Sequence, residues 1–414
     1  MRPRHRPEQG RSCSQPNATM PPSFIRTLSL LTINLPPRMD PIAFRRHLHA
    51  HPERSFEEKQ TAAYIAEQLA ALGIEHRPIA QTGVLARIEG RRPAPGDRRA
   101  VVLRADIDAL PIEERTGLPY ASQTPGTMHA CGHDMHAAVL YGVLQKLAAD
   151  PDFAGTIFGL FQPGEECNPG GATLVLAENP FDCYEVRAVI GEHVEPQLEV
   201  GTLGFRAGKY MAANDELRFR IRGTGGHGAL RSELRDPVAA SAELVTKLLA
   251  LNAPEQVLSI GRVEAAGATN IIPDEVYLEG TLRTFDEEVR ARLHARIAAL
   301  AAEVDARHGV ATEPTIGHGY PPVVNDARLT ELAVAEAAAA GLRTEMLPLR
   351  TTAEDFGHYT RRYPSLFYRL GVGAAAGRPH TATFAPDERA LETGAEYMRR
   401  LALKILNGFD DPNA

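Results

Sequence analysis

Two stretches of this sequence carry side chains that can hold divalent metals and move protons. Met128-His129-Ala130-Cys131-Gly132-His133-Asp134-Met135-His136 sets a thiol and an imidazole two residues apart in a glycine-containing turn. Phe161-Gln162-Pro163-Gly164-Glu165-Glu166 sets two adjacent carboxylates behind an apolar run. Two further histidines stand in short segments of their own, Gly191-Glu192-His193-Val194 and Pro379-His380-Thr381. Cys, His and Glu are the donors of zinc-like sites. A second carboxylate beside a ligating one is what a hydrolase needs as general base towards a metal-activated water. The combination points to metal-dependent hydrolysis.

Each group alone has an ordinary explanation. A cysteine in a small-residue turn is commonly buried packing. A lone histidine is commonly a surface or hydrogen-bonded core residue. Adjacent glutamates are commonly a solvated face, which is the reading given to Glu57-Glu58 and Glu113-Glu114. Glu165-Glu166 differs because Pro163-Gly164 turns the chain between a buried strand and the pair. In a turn the two side chains can diverge, one towards metal and one towards water.

The elements that must position these groups follow from hydrophobic spacing. Residues 41–73 read as helix, with Phe44, Leu48, Ala62, Ile65, Leu69 and Leu72 at helical spacing. Val101 to Asp106 and Thr156 to Phe161 read as buried strands, and residues 134–149 as a helix just after the Cys131/His133 turn. Val186 to Ile190 reads as a third strand with His193 following it. Ligand sites of open α/β sheets lie beyond the C-terminal ends of strands, where these groups fall. Residues 211–317 have a separate pattern. Strands at 216–221, 257–263, 276–284 and 310–316, with helices at 236–251 and 286–307, give the order β-α-β-β-α-β of a ferredoxin-like sandwich. The first pattern resumes after Pro321, so this unit is read as inserted.

Size and composition agree. At 414 residues the chain is long enough for two domains. Hydrophobic residues at 43% and charged residues at 23% are ordinary for a soluble globular protein. A net charge of -7 argues against nucleic acid as a partner. No apolar run reaches the length of a membrane span. Cys13, Cys131, Cys167 and Cys183 form no paired framework, which fits a reducing compartment, and a cytoplasmic location is expected. Residues 1–38, rich in Arg, Pro and Ser, read as a disordered extension or an over-called start before Met39.

Several ordered motifs together resemble the aminoacylase/carboxypeptidase metallopeptidases, in the amidohydrolase branch with the hippurate hydrolases and N-acyl-amino-acid and indole-acetyl-amino-acid hydrolases. They run from Arg46-His47-Leu48-His49-Ala50-His51-Pro52-Glu53 through Leu103-Arg104-Ala105-Asp106-Ile107-Asp108 and the two stretches above. Gly225-Gly226-His227, Asn270-Ile271-Ile272-Pro273 and Glu354-Asp355-Phe356 continue the series. The resemblance implies a two-domain α/β fold. A catalytic α/β sheet domain spans 39–210 and 318–410, and an inserted ferredoxin-like lid and dimerisation domain spans 211–317. It also implies two divalent metal ions, of which Zn, Mn, Co and Ni all suit a Cys/His/Glu set. Cys131 takes the bridging position, with His133, Glu166, His193 and His380 as terminal ligands and Glu165 as catalytic base. His227 corresponds to a residue that reaches a partner subunit's site and steadies the oxyanion, which implies a homodimer. Asn270 and Arg283 correspond to positions that hold the substrate carboxylate.

Asp106 and Asp108 suit either of two roles, orienting ligating histidines or capping strand ends. His129 and His136 stay unassigned between orienting and structural roles. Leu230-Arg231-Ser232 stands where relatives have a Pro-His pair, which leaves substrate preference open. Glu192 stands where an apolar residue is usual and is expected to add negative charge. The expected reaction is hydrolysis of a small N-acyl-amino acid to a carboxylic acid and a free amino acid. A dipeptidase or carboxypeptidase is the second hydrolytic reading. A non-catalytic metal-binding relative is the reading from another class, opposed by the spare carboxylate Glu165.

Overall fold

The structure, a computed structural model, describes residues 39–92 and 96–408. The extension read over residues 1–38 lies outside them. An eight-stranded mixed sheet forms the larger layer, in the order 75–79, 83–89, 156–162, 99–106, 185–195, 365–371, 202–205, 343–346. Its four central strands, 156–162, 99–106, 185–195 and 365–371, are mutually parallel. Their sequences explain the placement. Arg99–Asp106 and Thr156–Gln162 are apolar almost throughout and buried on both faces, as a central parallel strand must be.

Helices cover both faces. The helix His133–Ala149 is buried around nearly its whole circumference and packs between Pro41–Ala50 and Ala390–Gly408. Its apolar residues therefore sit all round rather than on one stripe. On the opposite face, Ala172, Val175, Phe181, Tyr210, Phe356 and Tyr359 pack against Val102, Phe158 and Phe367.

A second sheet is built from Asp215–Arg222, Gln256–Ala265, Glu275–Thr284 and Ala311–His318, all antiparallel, with Gln256–Ala265 at one edge. The strand Asp215–Arg222 alternates buried and exposed residues along its full length, the mark of a sheet covered on one face only. Pro237–Leu249 and Glu287–His308 supply that cover, with Leu244, Leu248, Ile297 and Leu300 in the shared core. Both helices start on an aspartate cap. Asp236 accepts from Val238 and Ala239 N–H, and Asp286 from Glu288 and Val289 N–H. The element order is the β-α-β-β-α-β of the ferredoxin-like arrangement. Among the described residues no helix is long and apolar enough to cross a membrane.

Two local readings need correction. The helix read over 41–73 is two helices, Pro41–Ala50 and Lys59–Ala71. Pro52 cannot continue the first, and Phe56 takes a left-handed backbone with φ 64°. The third strand runs over Glu185–Glu195 and includes His193, because residues 189–195 pair in parallel with 365–371.

One buried ion cluster staples the first helix beneath the site. Asp134 Oδ2 accepts from Arg45 Nε at 2.6 Å and meets His49 Nδ1 at 2.9 Å, and His49 Nε2 meets Glu114 Oε1 at 3.2 Å. Burial opposes charge on His49, but Asp134 and then Glu114 outweigh it and hold the imidazole up at about 9. A folded pKa raised above the unfolded one gives stability that is complete below about 6.5 and lost as pH rises through about 9. The shift corresponds to on the order of 3 kcal/mol. Urea unfolding of wild type and His49→Gln from pH 6 to 9.5 should show the variant less stable at pH 6, with the difference shrinking towards pH 9.5. Parallel profiles would contradict a charged His49.

Candidate metal centre and active site

The site residues are delivered by the C-terminal ends of adjacent parallel strands. Asp106 pairs in register with Gln162, so Asp108 and the Pro163-Gly164-Glu165-Glu166 turn leave the sheet side by side. His193 lies near the end of the neighbouring strand. The Cys131/His133 turn stands above them. Gly132 has φ 92°, and a Cβ there would lie 2.6 Å from Val194 Cγ2, so only glycine lets the turn close onto the strand.

The turn, the strand and a C-terminal loop bring the metal-type donors together. Cys131 Sγ lies 3.4 Å from His193 Nε2 and 3.3 Å from His380 Nε2. His380 Nε2 is 3.2 Å from Glu166 Oε1, and His133 Nε2 is 3.9 Å from the same oxygen. Five groups of three donors among the described residues have their donor atoms within 4.8 Å of one another, and two of them contain Cys131, namely Cys131–His133–His193 and Cys131–Glu166–His380. Cys131 is common to both.

Hydrogen bonds behind the donors set their tautomers. His193 Nδ1 donates to Val194 C=O at 2.8 Å, which leaves Nε2 as the free lone pair. His133 Nδ1 is 3.1 Å from Asp108 Oδ1, and its Nε2 is buried with no hydrogen-bond partner among the described residues. Asp108 also accepts from Ser55 Oγ at 2.7 Å and from Glu166 N–H at 2.9 Å. Asp106 is aimed instead at His136 Nδ1, at 2.6 Å, and His136 Nε2 accepts from Val194 N–H at 3.0 Å. Both nitrogens of His136 are thus occupied, which gives it a structural place although it stands close to Asp106 and His133. His129 is buried with neither ring nitrogen hydrogen-bonded among the described residues, and burial lowers its pKa to about 4.

Charge is the test of whether these residues fit a metal. Burial would lower the pKa of His133, yet Asp106 and then Cys131 raise it well above its usual value, while burial and Glu166 raise the Cys131 thiol. Hydrogen bonds to Cys131 and Glu166 push His380 up to about 10. The cluster therefore draws positive charge strongly. An orphaned buried imidazole nitrogen, a shared thiol and carboxylate oxygens converging on one space are the donor chemistry of a divalent metal site. Burial, followed by Glu354, Glu166 and Asp355, raises Glu165 well above the carboxylate range, a strong perturbation of the kind found at functional sites.

The turn that presents Glu165 is gripped from several sides. Gly164 has φ 63°, and the Phe56 ring fills the place of a Cβ. Gly164 N–H donates to Glu58 Oε1 at 2.8 Å, while Thr82 Oγ1 donates to Glu58 Oε2 at 2.6 Å. Gly171 N–H donates to Gly164 C=O at 3.0 Å, and Tyr320 OH donates to Glu165 C=O at 2.5 Å. Glu58 is thus buried and structural, and Glu114 is tied to His49, Thr116 and Ser122 N–H. The solvated-face reading is corrected for both, because each satisfies buried donors. Glu192 is also buried, with neither oxygen hydrogen-bonded among the described residues. Burial raises its pKa, which weakens the added negative charge expected of it.

The structure groups three other candidates away from this cluster. His227 pairs with Ile271 in a two-stranded ribbon, and Gly228 N–H donates to Asn270 C=O at 2.9 Å. Ala229 N–H donates to His227 Nδ1 at 3.2 Å, so Nε2 carries the proton and is a free donor on an exposed side chain. Arg283 pairs with Val257 on the second sheet. Among the described residues no hydrogen bond or ion pair joins His227, Asn270 or Arg283 to the Cys131 cluster.

Glu58, Arg104, Glu354 and Tyr320 are the participants that sequence reasoning did not assign. Arg104 and Glu354 lie inside quoted motifs, which was their available signal. Glu58 and Tyr320 act through backbone groups of residues far along the chain, and no spacing rule reports that.

Comparison with known proteins followed the same lines. The model of the family described as Peptidase family M20/M25/M40 matches residues 102–404. The chain is 39% identical over 378 residues to an N-acetyl-L-cysteine deacetylase of Bacillus subtilis, covering 89% of each. It is 40% identical over 296 residues to an N-acyl-L-amino acid amidohydrolase of Geobacillus stearothermophilus, covering 70% of this chain and 78% of that one. A crystal structure from Bacillus subtilis, described as a dinuclear metal-binding peptidase from the M20 family, matches with TM-score 0.79 at 35% identity. That match covers 89% of this chain and 98% of the other.

Cys131→Ser removes the donor common to both groups and replaces it with a hydroxyl that stays protonated at neutral pH. Metal analysis after dialysis against low free metal should show the variant retaining fewer divalent ions than wild type. Equal retention would contradict a bridging Cys131.

Proposed function

We propose that this chain, which belongs to peptidase family M20/M25/M40, is a metal-dependent amidohydrolase that cleaves N-acyl-amino acids to a carboxylic acid and a free amino acid. The observation that carries this reading is a buried carboxylate, Glu165, beside two donor groups that share one thiol. Support for the substrate class comes from the relatives described as a deacetylase of N-acetyl-L-cysteine and an N-acyl-L-amino acid amidohydrolase.

Cys131, His133 and His193 would hold one divalent ion, and Cys131, Glu166 and His380 the other. Such a pair supplies Lewis-acid polarisation of a carbonyl and acidification of a water. Zn, Mn, Co and Ni all suit the donors. The residues of the chain do the rest. Glu165 takes a proton from the attacking water on a carboxylate oxygen and returns it to the leaving amine nitrogen. Asp108 holds His133 by its Nδ1–H and holds the Glu166 backbone, which keeps two donors in register. His227 offers Nε2–H to the developing oxyanion, and Asn270 and Arg283 hold the substrate carboxylate, for which a guanidinium fork is suited. A reducing compartment, the cytoplasm, suits a site whose thiolate must remain unoxidised.

Among the described residues no hydrogen bond or ion pair joins His227 to the Cys131 cluster of its own chain, and this favours a homodimer in which the histidine serves the partner's site. The strand Gln256–Ala265 is an open sheet edge carrying Val257 at 37% and Val263 at 58% exposure, a surface that strand pairing between two copies would cover. Light scattering should give twice the chain mass. A fully active monomer would contradict the role of His227 in a partner's site.

The reaction is tested by amino-acid release from N-acetyl-, N-benzoyl- and indole-acetyl-amino acids and from dipeptides, with divalent metal added. Wild type should release amino acid from an N-acyl substrate, and Glu165→Ala should lose at least about 10²-fold in kcat, the scale of a removed general base. Release from dipeptides alone would move the chain to the peptidase reading. An active Glu165→Ala would remove Glu165 from the mechanism.

A further inference from the structure

The turn of Glu165 is held on one side by the larger layer, through Glu58 and Phe56, and on the other by a residue that belongs to the link with the second sheet. That residue is Tyr320. The chain crosses between the two sheets just before Asp215 and just after His318. The two crossings are bound to each other, since Asn214 N–H donates to Tyr320 C=O at 3.1 Å. Gly319 is pressed so close to the Asn214 carbonyl that a side chain has no room. A buried ion cluster fixes this junction to the helix Glu287–His308. Asp215 accepts from Gly319 N–H at 3.1 Å, from Arg290 Nε at 2.9 Å and from His294 Nε2 at 2.6 Å. Arg290 Nη2 in turn donates to Gly319 C=O at 3.1 Å. From this anchored segment the nearly buried Tyr320 reaches back 155 residues, and its hydroxyl donates to the Glu165 carbonyl at 2.5 Å.

We infer that Tyr320 is a positioning residue that ties the backbone of Glu165 to the crossover between the two sheets. The height of the carboxylate is thereby set by where the second sheet stands. This rests on the reading of Glu165 as the proton-transferring group. Among the described residues the phenol hydroxyl makes no hydrogen bond to Cys131, His133, Glu166, His193 or His380, and it acts through the peptide that carries Glu165. Loss of the hydroxyl leaves that carbonyl unpaired in a buried place and frees the turn on the crossover side.

The test is a double-mutant cycle of Tyr320→Phe and Glu165→Ala, with kcat, KM and bound metal measured for each protein. Tyr320→Phe should lower kcat about tenfold, the scale of one hydrogen bond, with KM and metal content within about twofold of wild type. In the Glu165→Ala background the same change should leave the residual rate unaltered, because no carboxylate remains on the turn to be placed. An unchanged kcat in Tyr320→Phe would overturn the proposal. An equal loss in both backgrounds would also overturn it, since the tyrosine would then act through the fold or the metals. Full activity of Glu165→Ala alone would overturn instead the reading of Glu165 on which the proposal stands.

Discussion

Arg104 is wholly buried, and its guanidinium reaches Asp106 at 2.7 Å, Asp355 at 2.7 Å, Glu354 at 3.0 Å and the Gln162 side-chain carbonyl at 3.1 Å. Three carboxyl groups share this one guanidinium, and burial raises Glu354 to about 8 and also raises Asp355 and the nearby Glu165, so their charged forms are costly as the site stands. Buried charge is tolerated only when it is compensated. The ends of the central strands therefore crowd acidic groups that cannot all ionise together without further cations. The upward shifts of His133 and His380 report the same demand, met there by protons. A pair of divalent ions would meet it more completely. Metal binding, on this view, completes the electrostatics of the fold as well as equipping the site.

The donors differ in how firmly the fold holds them. His133 opens a buried helix and His193 lies in a central strand, each with Nδ1 fixed by an acceptor. His380 comes from a loop, with φ 60° and a side chain 54% exposed. The Cys131–His133–His193 group is thus the more firmly held of the two, and the group with Glu166 contains the half-exposed His380. Glu165 shares the rigidity of the first group through its turn rather than through its side chain. The hydrogen bonds that fix Glu165 among the described residues go to its turn and its backbone carbonyl, an arrangement that suits the proton-transfer role proposed for it.

Much of this was legible in the sequence because it is written locally. Apolar runs at 101–106 and 156–161 marked buried strands, and the order of strands and helices over 211–317 marked a ferredoxin-like unit. The Cys131–His133 and Glu165–Glu166 spacings marked donors, since a short turn needs only its own residues to bring them together. What was missed depends on distant partners. The break at residues 51–58 starts at Pro52 and turns at Phe56, and its side chains serve partners far along the chain, Ser55 donating to Asp108, 53 residues on, and Glu58 accepting from Gly164, 106 residues on. Glu58 and Glu114 looked like solvated acids because neither acceptor is visible until the chain folds back. His193 was placed after its strand because the polar pair Glu192–His193 ended the apolar run, whereas pairing with 365–371 carries the strand through it.

The central claim is that the buried negative charge around Cys131 is built for two metal ions. The most direct measurement is elemental analysis of the purified full chain, set against its active-site concentration, with thermal unfolding followed as a chelator is added. The account predicts two divalent ions per chain and a lower Tm once they are withdrawn, because the carboxylates and thiolate lose their compensation. A chain that hydrolyses an N-acyl-amino acid with one ion or none, and whose Tm ignores the chelator, would contradict it.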